Sequence, residues 1–159
     1  MYVNIAVFDV PPESMHQQLS RALIGDRTCD LEFIGKFLLD ISEVVCNNNY
    51  RILFKPKYSL SNYSVEYQLL LTQIKEKWSD KFIILSPYTR MGALIELAEV
   101  CLSFPYSSSR VIGEEFGKRS FYYVSESYRS EFETACAGSN INLIIGSDDL
   151  NKQLLMMLK

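Results

Sequence analysis

Short apolar runs, each closed by proline or a polar cluster, alternate along this chain with stretches in which apolar residues recur every three or four positions. Val3-Asn4-Ile5-Ala6-Val7-Phe8-Asp9-Val10 is brief, partly β-branched and stopped by Pro11-Pro12, which predicts a buried strand. A mixed polar segment follows over 13–30, with a helical turn expected near 15–23. Phe33, Ile34, Phe37, Leu38, Ile41, Val44 and Val45 then share one helical face ahead of Asn47-Asn48-Asn49. Tyr50-Arg51-Ile52-Leu53-Phe54-Lys55 predicts a second strand, ended by Pro56. Over 64–79, the spacing of Tyr67, Leu70, Leu71, Ile74 and Trp78 predicts an amphipathic helix with Ser64 as its N-cap.

The alternation persists to the end of the chain. Phe82-Ile83-Ile84-Leu85 is a third predicted strand, and 91–99 a helix with Leu94, Leu97 and Ala98 turned inward. Val100-Cys101-Leu102-Ser103-Phe104 is a fourth strand, ended by Pro105. A helix over 107–116 closed by Gly117, a strand over 120–124, a helix over 128–137 closed by Gly138 and a strand over 141–145 follow. Ser147 or Asp148 caps a last helix running to Leu158. Six strands separated by helices predict an α/β fold with a parallel sheet covered on both faces, because parallel neighbours need crossover connections. The expected arrangement is doubly wound and Rossmann-like, with strand order 3-2-1-4-5-6, in one domain over 1–159.

Composition narrows the function classes. Apolar residues at 48%, charged residues at 22%, and only 7 Gly and 5 Pro describe a cored globular chain. Sixteen Lys and Arg against nineteen Asp and Glu give a net charge of −3, so a polyanion would need a local basic cluster and no nucleic-acid partner is expected. No apolar run approaches the ~20 residues of a spanning helix, and no signal-peptide core opens the chain, which points to a cytoplasmic protein without a membrane span. Cys29, Cys46, Cys101 and Cys136 form no CxxC pair and His16 is the one histidine, so no metal site is expected and the cysteines read as reduced core residues.

In an open α/β sheet, ligands bind beyond the carboxyl ends of the strands near the point where strand order reverses, which directs attention to four loops. They carry Asp9 and His16; Lys55 and Lys57; Ser86, Tyr88 and Arg90; and Tyr106, Ser107, Ser108 and Ser109. Three serines between a strand and a helix supply hydroxyls where backbone N–H groups are also unpaired, a combination suited to phosphate. The plainer use of one such serine is a helix cap. Lys55 and Lys57 flank Pro56, where an ammonium can face the same anion or simply solvent. Arg90 is a secondary anion ligand, and Asp9, Tyr88 and Glu114 are candidate nucleoside contacts, each with an ordinary role in a turn, on the surface or in a core. The chain has no GxxxxGK[ST], no GxGxxG after a strand and no GxSxG elbow, which removes support for a P-loop NTPase, a nicotinamide dehydrogenase or an α/β serine hydrolase.

The stretch from Leu102-Ser103-Phe104-Pro105-Tyr106-Ser107-Ser108-Ser109 through Gly113-Glu114-Glu115-Phe116-Gly117-Lys118 resembles the carboxy-terminal domain of bacterial polysaccharide-biosynthesis proteins of the PFTS-motif type, which look like GT-B glycosyltransferases. The motif itself reads Pro105-Tyr106-Ser107-Ser108, and the Ile5 to Val10 strand and Phe54-Lys55-Pro56-Lys57 fit the same pattern. The resemblance implies a nucleotide-sugar donor as ligand, held through its phosphate by Ser107, Ser108 and Ser109 and neutralised by Lys55 and Lys57. Sialyltransferase-like relatives often carry a His-Pro pair where this chain has Lys55-Pro56. Many GT-B domains bind ribose through a Glu five residues before the helix-ending Gly; that position is Ile112 here, two residues before Glu114. The resemblance further implies transfer without a metal or other cofactor, and an acceptor-binding domain on a further segment or a partner chain. The alternative from another class is a non-catalytic α/β module that docks to a protein, its serines serving only as a cap.

Overall fold

The structure is a computed structural model that describes residues 2–12, 30–105, 107–135 and 142–157. His16, Cys29, Tyr106, Cys136, Gly138, Ile141, Leu158 and the helical turn expected near 15–23 lie outside the described residues. In chain order the elements are β1 (Val3–Phe8), α1 (Leu31–Asn47), β2 (Tyr50–Lys55), α2 (Val65–Lys77), β3 (Phe82–Ile84), α3 (Met91–Leu97), β4 (Val100–Ser103), α4 (Ser109–Glu115), β5 (Arg119–Val124), α5 (Arg129–Ala135), β6 (Leu143–Ile145) and α6 (Ser147–Met157). All six strands pair in parallel in the order β3-β2-β1-β4-β5-β6, the arrangement the apolar runs predict.

Alternate strand residues feed two unequal layers, as the period of two in a strand requires. Ile5, Val7, Ile52, Phe54 and Leu102 face a large core shared with α1, α2 and α6, together with Phe132 of α5. Phe33 and Phe37 pack edge-on against Phe104, with ring centroids 5.2 and 5.4 Å apart. Ala6, Phe8, Leu53 and Cys101 face a smaller cluster with Leu94 and Ile95 of α3 and Ala98 just past its end. Cys46 and Cys101 are free and buried. Among the described residues no helix is long and apolar enough to cross a membrane.

Local chemistry sets the element ends. Ser64 caps α2 by accepting the Tyr67 N–H at 3.3 Å. Gly117, at φ +70°, closes α4 through Gly117 N–H to Glu114 O and Lys118 N–H to Gly113 O, the paired bonds of a left-handed helix stop. Two expectations shift. Ile95, not Leu97, lies inward on α3: Leu97 is 66% exposed, because the buried stripe runs through Leu94, Ile95 and Ala98. The helix after β4 starts at Ser109, with Ser107 and Ser108 in the turn before it.

Candidate functional site

β1 sits between β2 and β4, and its two neighbours are reached by connections leaving in opposite directions, so the carboxyl ends of β1 and β4 flank the reversal point of the sheet. The loops after β1, β2, β3 and β4 open on this edge. They bring Asp9, Lys55, Lys57, Tyr88, Arg90, Ser107, Ser108 and Ser109 to one end of the molecule. Two of them, Lys55 and Ser109, are turned to partners within the protein.

At the end of β4 the serine run builds an internal chain. Ser109 Oγ donates to Ser103 Oγ at 3.0 Å and lies 2.9 Å from Ser107 Oγ, while Ser107 Oγ donates to Phe104 O at 2.8 Å. Ser103 is 0% and Ser109 4% exposed. An anion needs donors, and the hydroxyl protons of Ser107 and Ser109 are directed into this chain. Ser108 differs: it is exposed and makes no side-chain cap bond. The three hydroxyls are therefore split between a buried strut and one open group. Tyr122 of β5 donates to Ser107 O at 2.9 Å and fixes the turn from the other side.

At the end of β2 the two lysines part. Lys55 Nζ donates to Pro87 O at 2.9 Å, toward β3 and away from the serines, with β1 between them. Lys57 is exposed, with its ammonium 5.4 Å from the centroid of the Tyr58 ring. Arg90 is exposed at the start of α3, and Tyr88 is 87% exposed beside it.

Asp9, just past β1, is the most heavily bonded of the candidates. Its carboxylate accepts hydrogen bonds from the Tyr63 hydroxyl, from Tyr67 Oη at 2.6 Å and from the Lys57 N–H at 3.2 Å. Burial pushes the Asp9 carboxyl above its ordinary value, and the bonds from Tyr63, Tyr67 and Lys57 partly offset that rise. The same contacts, with burial first, push the phenols of Tyr63 and Tyr67 up.

Glu114 lies away from this edge. It sits near the end of α4, bonded to Arg110 and, at 3.0 Å, to Asn142 Nδ2 just before β6, toward the amino ends of the strands. A helix that follows a strand in a parallel crossover runs back along the sheet, so a residue one turn into it leaves the carboxyl edge. Arg110 was not singled out by its sequence context. Its guanidinium lies over the Tyr122 ring at 4.9 Å, and Nε is buried with no partner among the described residues.

Sequence reasoning also missed Tyr63 and Tyr67 as partners of Asp9. The one available signal was the bunching of Tyr58, Tyr63 and Tyr67 right after a strand end. A cleft of about 990 Å³ opens at the opposite, amino edge of the sheet, lined in part by Tyr2, Asn4, Leu97, Phe116, Lys118 and Arg119. Among the described residues no three His, Cys, Asp or Glu side chains gather where they could hold a metal ion.

Searches among curated proteins and among solved structures returned no match. The family model described as polysaccharide biosynthesis PFTS motif protein matches residues 2–154, nearly the whole length of the chain. With its serine segment leaving β4 and its six parallel strands inside that match, the chain belongs to the polysaccharide biosynthesis PFTS motif family.

Proposed function

We propose that this chain is the donor-nucleotide domain of a sugar transferase in polysaccharide biosynthesis, one half of a GT-B-type enzyme whose acceptor-binding half lies on another segment or a partner chain. One observation carries this reading: Pro105 and Ser107-Ser108, part of the segment that resembles the family's motif, follow β4 at the carboxyl edge, beside the reversal point of an all-parallel 3-2-1-4-5-6 sheet. Ligands of such sheets bind outside this point. Ser108, Lys57 and Arg90 are the exposed groups there that can meet a donor phosphate, with Ser107 at the rim. Ser109 and Lys55 shape the edge through the internal chain and the Pro87 carbonyl. The two cations take up negative charge that develops on the departing phosphate.

The test is a titration of CMP, UDP and GDP against the chain, followed by thermal unfolding. A site filled at 100 times its dissociation constant adds about 2.7 kcal/mol. Ser108→Ala and Lys57→Ala should weaken that response, and Lys118→Ala, at the amino-edge cleft, should not. Silence to all three nucleotides at millimolar concentration overturns the reading, as does a response lost in Lys118→Ala but kept in Ser108→Ala.

The bonding of Ser103, Ser107 and Ser109 favours a second reading, a protein-docking module in which the serines are struts. It predicts that Ser107→Ala lowers stability by about 1 kcal/mol and that no nucleotide shifts unfolding in either protein.

A further inference from the structure

Residues 56–64 connect β2 to α2 with a single short turn of helix, Leu60–Asn62, inside them. The backbone bonds of that turn, Asn62 N–H to Ser59 O and Tyr63 N–H to Leu60 O, hold the loop to itself and not to the sheet. What reaches across to the sheet is Asp9. One carboxylate gathers the Lys57 N–H and the hydroxyls of Tyr63 and Tyr67, donors 48, 54 and 58 positions further along the chain. The Tyr63 hydroxyl in turn accepts the Tyr58 N–H at 2.9 Å, so two successive loop amides hang on the same acidic group, one directly and one through a phenol. Tyr63 and Tyr67 meet edge to face at 5.2 Å and are 8% and 1% exposed, so two of the donors that reach the half-buried carboxylate come from buried rings. Asp9 is itself fixed, since its N–H extends the strand ladder to Lys55 O at 3.0 Å.

We propose that Asp9 is a positioning residue, a clasp that holds the β2–α2 loop against the carboxyl end of β1 and thereby sets the Lys57 ammonium at the edge of the crevice. The placement of Lys57 follows from the two amides: its own N–H bonds Asp9, and the Tyr58 ring under its ammonium belongs to the residue whose N–H bonds Tyr63. With three donors on its two oxygens, the carboxylate is an anchor for the loop and not a free base. The consequence for ligand affinity rests on the donor-nucleotide reading; the clasp itself does not.

Residue-resolved hydrogen exchange on the whole chain decides the matter. Asp9→Ala should speed exchange of the Lys57 and Tyr58 amides about tenfold, the effect of losing one hydrogen bond of ordinary net strength, and leave Tyr123 and Val124 in β5 unchanged. Asp9→Asn should restore most of the protection, because its amide oxygen can accept from Tyr63 and Lys57 while its NH₂ group donates to Tyr67 Oη. Tyr63→Phe, which keeps the ring, should release Tyr58 more than Lys57 and serves where Asp9→Ala fails to fold. Unchanged exchange at Lys57 and Tyr58 in these variants, or a rise of equal size in β5, overturns the clasp. In the nucleotide titration, Asp9→Ala and Lys57→Ala should weaken binding by similar factors, and the double variant no further than either. A wild-type chain silent to nucleotides overturns the donor reading while the exchange data still decide the clasp.

Discussion

The two polar corners of the carboxyl edge, at the ends of β1 and β4, solve the same problem with different materials. Each must satisfy buried polar atoms where a strand ladder stops. The β4 corner does it locally: Ser103, Phe104, Ser107 and Ser109 lie within seven residues and exchange neutral hydroxyl bonds among themselves. The β1 corner does it at long range, with one acidic group joining segments about fifty residues apart. Hydrogen bonds to a charged acceptor are roughly twice as strong as neutral ones, so the long-range corner ties two elements together more firmly than the local corner ties one turn. A local chain can form before the fold is complete; a clasp between distant segments can form only with it.

The contrast can be broken by denaturation experiments. The largest effect is expected from Tyr67→Ala, which empties a buried aromatic site in the large core as well as removing a donor to Asp9, and should cost about 3–5 kcal/mol in urea unfolding. Tyr67→Phe isolates the donor and should cost about 1.5–3 kcal/mol, the worth of a hydrogen bond to a charged group. Ser109→Ala, the matching change at the β4 corner, should cost about 1–2 kcal/mol by leaving Ser103 and Ser107 each short of a partner. A Ser109→Ala loss larger than that of Tyr67→Phe would reverse the ranking of the two corners.

Acidity sharpens the comparison, because among these bonds only the β1 corner contains a carboxyl group. The Asp9 carboxyl lies above its ordinary value, with burial as the leading cause. The folded chain therefore holds the Asp9 proton more tightly than the unfolded chain does. This contribution is fully present below about pH 4 and is lost as pH rises through the folded pKa. Asp9→Asn lacks it, so the stability of wild type minus Asp9→Asn should fall as pH climbs from about 4 through that range. A difference that grows with pH would mean that the tyrosine bonds outweigh burial. The smallest expected effect is Ser108→Ala, within about 0.5 kcal/mol, since that hydroxyl is exposed and caps nothing.

The strands were readable because each is a short apolar run with a stop signal, and β2 was found at its observed bounds, Tyr50–Lys55. The strand order followed from general rules of parallel crossovers rather than from any one residue. The inward face of α3 was misplaced because a seven-residue helix offers too few apolar positions to fix its phase, and Leu97 fits the spacing as well as Ile95 does. At the site, the residues at the strand ends were legible as positions. Their directions were not: Lys55 turns to Pro87, Ser109 turns inward to Ser103, and Glu114 is carried by α4 toward the other edge.

What this sequence determined by itself is the layered α/β architecture and the identity of the side chains that arrive at the carboxyl edge, since both follow from periodicity and stop signals within a few residues. Only the tertiary structure decided which donors meet which acceptors. A hydrogen bond depends on ångström distances and on angles between groups, and for Asp9, Tyr63 and Tyr67 those are set by how β1 and α2 pack onto a common sheet, a relation that no local pattern contains.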